Sequence, residues 1–299
     1  MEWLYFSILS TFLFALTNIV DKFVMSKILR KPIPYTMLLG FYISIFAVII
    51  FLYQKVQFVF PESLIAVVSG ACWIGCVALY SKALIKEEVS RVISIFFTIP
   101  LFVAILAAIF LKEILTPMQY VGIVLLVASG ILISYKKSKG KFFIPSLKII
   151  LIAILLSSIY DIQKKYVLNV MNYWSLYFWN VVGINITALL LLFIPSIRRD
   201  FIKLVKTLKR TRLLYVLVGS ETSAFFADIS FNVATSMTYV SLVAAIGPLQ
   251  PFFVLLFMVF ISSFKPKILK EEINKKIILL KLISLILLFL GTWLITMKG

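Results

Sequence analysis

The sequence predicts an all-α integral membrane protein, with ten transmembrane helices arranged as two inverted five-helix repeats around a central cavity. Three observations lead there. The chain is 62% hydrophobic and only 14% charged over 299 residues, whereas soluble domains are about a quarter charged. Its apolar residues fall into ten runs of roughly 18–24 residues, each long enough to cross about 30 Å of hydrocarbon as a helix. The second half of the chain also repeats features of the first.

The ten runs span 3–25, 34–54, 62–85, 89–110, 116–135, 147–168, 173–195, 213–237, 240–263 and 276–297. Backbone polar groups cannot be left open in lipid, so runs this long and continuous read as helices rather than barrel strands. They leave almost no chain for a soluble domain. The net charge is +18, but the basic residues sit in short spacers between apolar runs. There they act as topology signals and contacts for anionic lipid headgroups, not as a nucleic-acid surface. Histidine is absent, which removes His-based proton relays and most zinc, copper or haem sites; no metal or other cofactor is expected. Cys72 and Cys76 lie one helical turn apart, poor geometry for a disulfide, and read as packing residues. The N-terminal Met1-Glu2-Trp3 has no basic n-region, so no cleavable signal peptide is expected.

The repeat justifies the division into halves, 1–140 and 141–299. TNIVDKFVM at 17–25 aligns with YDIQKKYVL at 160–168. The stretch 87–106 aligns with 238–257, which matches Val89-Ser90 to Val240-Ser241 and Pro100 to Pro251. Ala83 matches Ala234, and Gly130 matches Gly291. Each half holds five helices. Five is odd, so the halves enter the membrane from opposite sides, a plan that recurs in secondary transporters with the substrate site near the midplane.

The same residues carry a family resemblance. The first half resembles the EamA domain of the drug/metabolite transporter superfamily, with Ala83, Ser90, Pro100, Glu113, Gln119, Gly122 and Gly130 in the family's places. Lys112 stands where the family often has Gly. The second half keeps Ala234, Ser241, Pro251 and Gly291, but has Ser263-Phe264 where the acidic pair would be. The resemblance implies a transporter whose cavity is lined by helices one, three, four, six, eight and nine. It implies no single substrate, since the superfamily handles amino acids, sugars, nucleotide-sugars, drugs and other metabolites; its members lean towards export.

Orientation follows from the basic residues. Spacers after helices one, three, five, seven and nine hold 23 of the 30 Lys and Arg; those after even helices, with the C-terminal tail, hold five: Lys55, Lys112, Lys164, Lys165 and Lys298. The positive-inside rule puts the odd spacers in the cytoplasm of a multi-pass cell-membrane protein and both termini outside, against the resemblance, whose relatives have both termini inside. Within 196–212, Ile197, Phe201, Leu204, Val205 and Leu208 recur at helical spacing among seven basic residues. That is either a helix on an anionic leaflet or a solvated basic loop.

The candidate site begins with Glu221 and Asp228, seven residues apart on one face of the eighth helix. Phe225 and Asn232 extend the stripe. A carboxylate in hydrocarbon is expensive, and is tolerated when it faces a protein interior or a wet cavity. It then binds a coupling ion or a cationic substrate group, or it is held in a structural ion pair with a basic residue of a neighbouring helix, or it is a hydrogen-bonded acid that never titrates. The matched first-half positions are Gly70 and Val77, so the acids break the repeat symmetry. Asn18 with Lys22, and Asp161 with Lys165, are matched pairs four apart that either line two mouths of one cavity or snorkel at helix ends. Pro100 and Pro251 predict kinks in helices four and nine. Trp73 and Tyr80, seven apart on helix three, are apolar wall candidates. Glu87-Glu88 and Glu271-Glu272 read as solvated spacer charges. No P-loop or nucleophile motif appears, so an enzyme is not expected.

The function expected is alternating-access transport of a small molecule such as an amino acid, amine or drug-like solute, proton-coupled through Glu221 or Asp228. The alternative is a non-transporting membrane or lipid-handling subunit with a sealed bundle.

Overall fold

The computed structural model describes residues 2–27, 32–86, 89–134, 146–208, 213–264 and 275–297. The basic spacer stretches 28–31, 135–145 and 209–212, and Glu87-Glu88 and Glu271-Glu272, lie outside the described residues. Among those described, the regular elements are all helical: α1 (Glu2–Lys27), α2 (Pro32–Tyr53), α3 (Glu62–Lys86), α4 (Val89–Phe96), α5 (Ile99–Leu106), α6 (Pro117–Ser134), α7 (Leu147–Leu168), α8 (Tyr173–Leu192), α9 (Pro195–Leu208), α10 (Leu213–Met237), α11 (Val240–Ala245), α12 (Gln250–Phe264) and α13 (Lys275–Thr296). The ten predicted runs are occupied by helix, because apolar runs of that length must close their own backbone bonds.

Two of those runs are interrupted. Between α4 and α5 the chain turns at Phe97-Thr98, where the Thr98 hydroxyl donates to the Ile95 carbonyl at 2.6 Å. Pro100 is then the second residue of α5. Between α11 and α12 lies a tight 3₁₀ turn, Gly247–Leu249, and Pro251 is the second residue of α12. Proline lacks an N–H, which costs nothing in a first turn. The matched prolines therefore open the second half of each broken helix instead of bending a continuous one. After α5 the chain widens into a π turn over Ala107–Leu111 and ends at Lys112, with φ 56° and ψ 29°. That left-handed backbone is why glycine suits this position.

Seven helical spans among the described residues are long and apolar enough to cross a membrane: Glu2–Val20, Pro32–Tyr53, Glu62–Leu84, Val92–Leu111, Tyr173–Leu192, Val240–Phe257 and Leu279–Thr296. This is a multi-pass membrane protein. α7 and α10 are not among the seven, and they carry the interior charges Asp161, Lys164 and Lys165, and Glu221 and Asp228.

Packing pairs helices across the halves. α1 lies along α10, α3 along α7 and α8, and α6 along α13. Lipid tails are as apolar as leucine, so helices hold together through small residues and polar contacts. At the α3–α8 crossing, a Cβ on Gly183 would overlap the Val67 carbonyl, and one on Gly70 the Asn180 carbonyl. Asn180 Nδ2 donates to Ser69 Oγ at 2.7 Å beside them. Gly122 and Gly291 bring α6 and α13 together in the same way; a Cβ on either would stand 2.9 Å from the other's carbonyl oxygen. α9 is an amphipathic helix, but its apolar stripe meets protein. Leu204 packs with Tyr35 of α2 and Leu217 of α10, and the Phe201 ring lies 5.7 Å from that of Phe41. Arg198, Arg199, Lys203 and Lys206 remain on its exposed face.

Candidate functional site

The site forms where one stripe of α7 faces one stripe of α10. On α7, Ser157, Tyr160, Asp161 and Lys164 share a face by helical spacing; on α10, Glu221, Phe225, Asp228 and Asn232 do. The Lys164 ammonium donates to Asp228 Oδ1 at 2.7 Å. It also reaches the Tyr160 hydroxyl at 3.4 Å, and stands 4.9 and 5.1 Å from the ring centres of Tyr160 and Phe231. Lys164 is 1% exposed and Asp228 23%, so the lysine is buried and the aspartate is partly exposed. A lysine this deeply buried is tolerated when it is paired.

Further polar groups surround the pair. Asn232, fully buried, donates through Nδ2 to Asp228 Oδ2 at 3.3 Å, while its Oδ1 has no hydrogen-bond partner among the described residues. The same is true of the Tyr177 hydroxyl of α8, which feels the charges of both Asp228 and Glu221. Asp161 interacts electrostatically with Lys164 and with Asp228. Glu221 is buried. Phe225 stacks on Phe46 of α2 at 4.2 Å and meets Tyr177 edge-on at 5.2 Å.

The structure thus gathers Asp228, Asn232, Asp161 and, through Tyr177, Glu221 and Phe225. It does not bring in the others. Asn18 lies on an exposed face of α1. Trp73 packs with Met37, Ile184 and Ala188, whereas Tyr80 packs edge-on against Phe96 at 4.4 Å in a separate cluster with Ile150 and Ile154. Lys165 does not turn to Asp161; its ammonium caps the end of α10, donating to the Thr235 and Thr238 carbonyls at 2.9 and 2.8 Å. Lys164 and Lys165 are therefore interior groups and not spacer charges, and their removal leaves Lys55 and Lys112 in the even spacers and Lys298 in the tail.

A second polar contact holds the site's frame. Glu113, 4% exposed, follows Lys112 in the turn between α5 and α6. Its carboxylate accepts from the Val240 N–H and the Ser241 hydroxyl, each at 3.3 Å. It thereby caps the N-terminus of α11, where the orphan N–H groups and the helix dipole favour an anion. Burial pushes the Glu113 carboxyl up from its ordinary range, against the lowering pull of Val240, Lys165 and Ser241. Sequence reasoning missed Lys164, Tyr160 and Tyr177 as site residues. The signal for Lys164 was the i, i+3, i+4, i+7 stripe with Ser157, Tyr160 and Asp161.

Comparison with known proteins agrees with this architecture. Residues 1–135 match the model of the EamA-like transporter family. No curated protein matches the chain. A solved structure titled only "Crystal structure of protein" aligns over 98% of this chain and 96% of that one, with a TM-score of 0.73 and 13% identity; at that identity the likeness concerns the fold alone. The chain is a multi-pass membrane protein whose residues 1–135 are similar to the EamA-like transporter family.

Proposed function

We propose that the protein is a secondary transporter that carries a small solute across the cell membrane by alternating access. In this reading residues 1–140 and 141–299 are inverted repeats, and all ten predicted spans cross. The reciprocal packing of α1 on α10 and α3 on α7 supports it, since these are the first and third helices of opposite halves. Both termini lie outside and the odd spacers in the cytoplasm. Transport runs outward, as the EamA resemblance favours.

The observation that carries the reading is the Lys164–Asp228 pair: two opposite charges kept between the helices of a membrane bundle, with the carboxylate partly exposed. Intramembrane ionisable groups are costly and mark substrate or ion pathways. Under the repeat, Lys164 stands opposite Asp21 and Asp228 opposite Val77, so the pair belongs to one half only. Asp228 and Glu221 bind the coupling proton or a cationic part of the solute.

The experiment is solute flux in proteoliposomes with and without a pH gradient, comparing wild type with Glu221→Gln and Asp228→Asn. Gradient-driven flux is expected to fall sharply in Asp228→Asn; unchanged flux in both variants rules out a coupling role. A second reading, a sealed non-transporting bundle, draws on the same pair as a structural ion pair. It predicts no flux for any solute with the wild type.

A further inference from the structure

The seat that holds the Lys164 ammonium describes a ligand. It presents a carboxylate oxygen at 2.7 Å and two aromatic rings, Tyr160 and Phe231, with centres about one ring-width away at 4.9 and 5.1 Å. A carboxylate flanked by ring faces is how proteins recognise an organic ammonium group. The unused polar atoms agree. Asn232 Oδ1 and the Tyr177 hydroxyl are buried without hydrogen-bond partners among the described residues. An amide oxygen only accepts, so what Asn232 lacks is a donor. One ammonium, that of Lys164, serves the Asp228 carboxylate, because Lys165 is committed to the carbonyls of Thr235 and Thr238. The cluster is short of hydrogen-bond donors, and Asp228 is its partly exposed member.

Resting on the transporter reading above, we infer that this seat binds a protonated amine, and that Lys164 is a tethered cation that fills it when no amine is present. An arriving ammonium group takes Asp228 from the accessible side. Lys164 then turns to the neighbouring Asp161 carboxyl, about one helical turn away on the same face of α7. No covalent bond changes; one ion pair replaces another. Lys164 is therefore a competitor of the solute. At a site for anions it would be the partner instead, and its removal would act in the opposite direction.

The test follows thermal stabilisation of the full-length protein in detergent by phenethylammonium, with 2-phenylethanol and 3-phenylpropionate as its neutral and anionic analogues. Ligand bound to the native state raises apparent stability. Only the amine is expected to stabilise the wild type. Lys164→Met is expected to bind it about tenfold more tightly or better, because the seat is no longer occupied from within. Asp228→Asn is expected not to bind it. The double variant Lys164→Met/Asp228→Asn keeps the overall charge and is also expected not to bind, which separates loss of the seat from loss of the fold. Equal or weaker amine affinity in Lys164→Met overturns the inference. So does stabilisation by 3-phenylpropionate that Lys164→Met abolishes; either result leaves a solute site at the cluster. No stabilisation by any of the three in wild type or Lys164→Met also overturns it, and the flux assay then judges the transporter reading independently.

Discussion

Lys164 of α7 and Asp228 of α10 meet at 2.7 Å, the lysine 1% exposed and the aspartate 23%. The asymmetry in burial predicts an asymmetry in mutants. Removing Asp228 takes away the ion-pair partner of a buried ammonium, and Asp228→Asn is expected to cost about 3 kcal/mol, the low end for breaking a buried pair. Lys164→Met leaves a carboxylate that already meets the accessible side, and replaces the lysine stem with apolar bulk, so about 1 kcal/mol is expected. Thermal melts of the purified variants check the order; Lys164→Met being the more damaging would contradict the described burial.

Much of the architecture was legible in the sequence, and the reason is the solvent. A helix that must satisfy its backbone inside lipid announces itself as a long apolar run, so α1, α3, α7 and α13 begin and end close to where the runs do. The α10 stripe of Glu221, Phe225, Asp228 and Asn232 was legible from spacing. What the spacing could not supply was the partner across the interface. Lys164 and Lys165 are adjacent and look alike in sequence. They point about 100° apart on a helix, so one enters the bundle while the other caps α10. The break at Thr98 was read as a kink because proline is equally at home in a bent helix and in a first turn.

Glu113 caps α11 across the halves of the chain. Glu113→Ala is expected to destabilise by about 1–2 kcal/mol, the usual range for a lost N-cap. Because burial raises its carboxyl, the folded protein favours the protonated form. The contribution is then fully present below the ordinary value of 4.5 and is lost as pH rises through the raised one. The melting temperature of the wild type is expected to fall over that rise relative to Glu113→Gln, which cannot titrate; parallel curves would contradict the assignment.

Gly183 and Gly219 offer a paired control. A Cβ on Gly183 would overlap the Val67 backbone, which cannot swing aside, whereas a Cβ on Gly219 meets nothing within 4 Å. Gly183→Ala is expected to cost about 3 kcal/mol by overpacking. Gly219→Ala is expected to be neutral or to stabilise α10 by about 0.5–1 kcal/mol. Yield and melting temperature in detergent read both.

Lys112 holds a left-handed backbone, φ 56°, immediately before Glu113. A side chain there costs roughly 1–2 kcal/mol, offset in part by the freedom glycine loses on folding. Lys112→Gly is therefore expected to raise thermal stability by up to about 1 kcal/mol. A marked loss would mean that the lysine side chain makes a contact of its own.

The central claim is that solute passes through the cluster centred on Asp228. The most direct measurement is solute-induced proton movement in proteoliposomes carrying a trapped pH-sensitive dye, with a panel of amines, amino acids and neutral metabolites, for wild type and Asp228→Asn side by side. At least one solute is predicted to move protons with the wild type, and that signal is predicted to vanish in Asp228→Asn, reconstituted at equal density. A signal of the same size in both would contradict it.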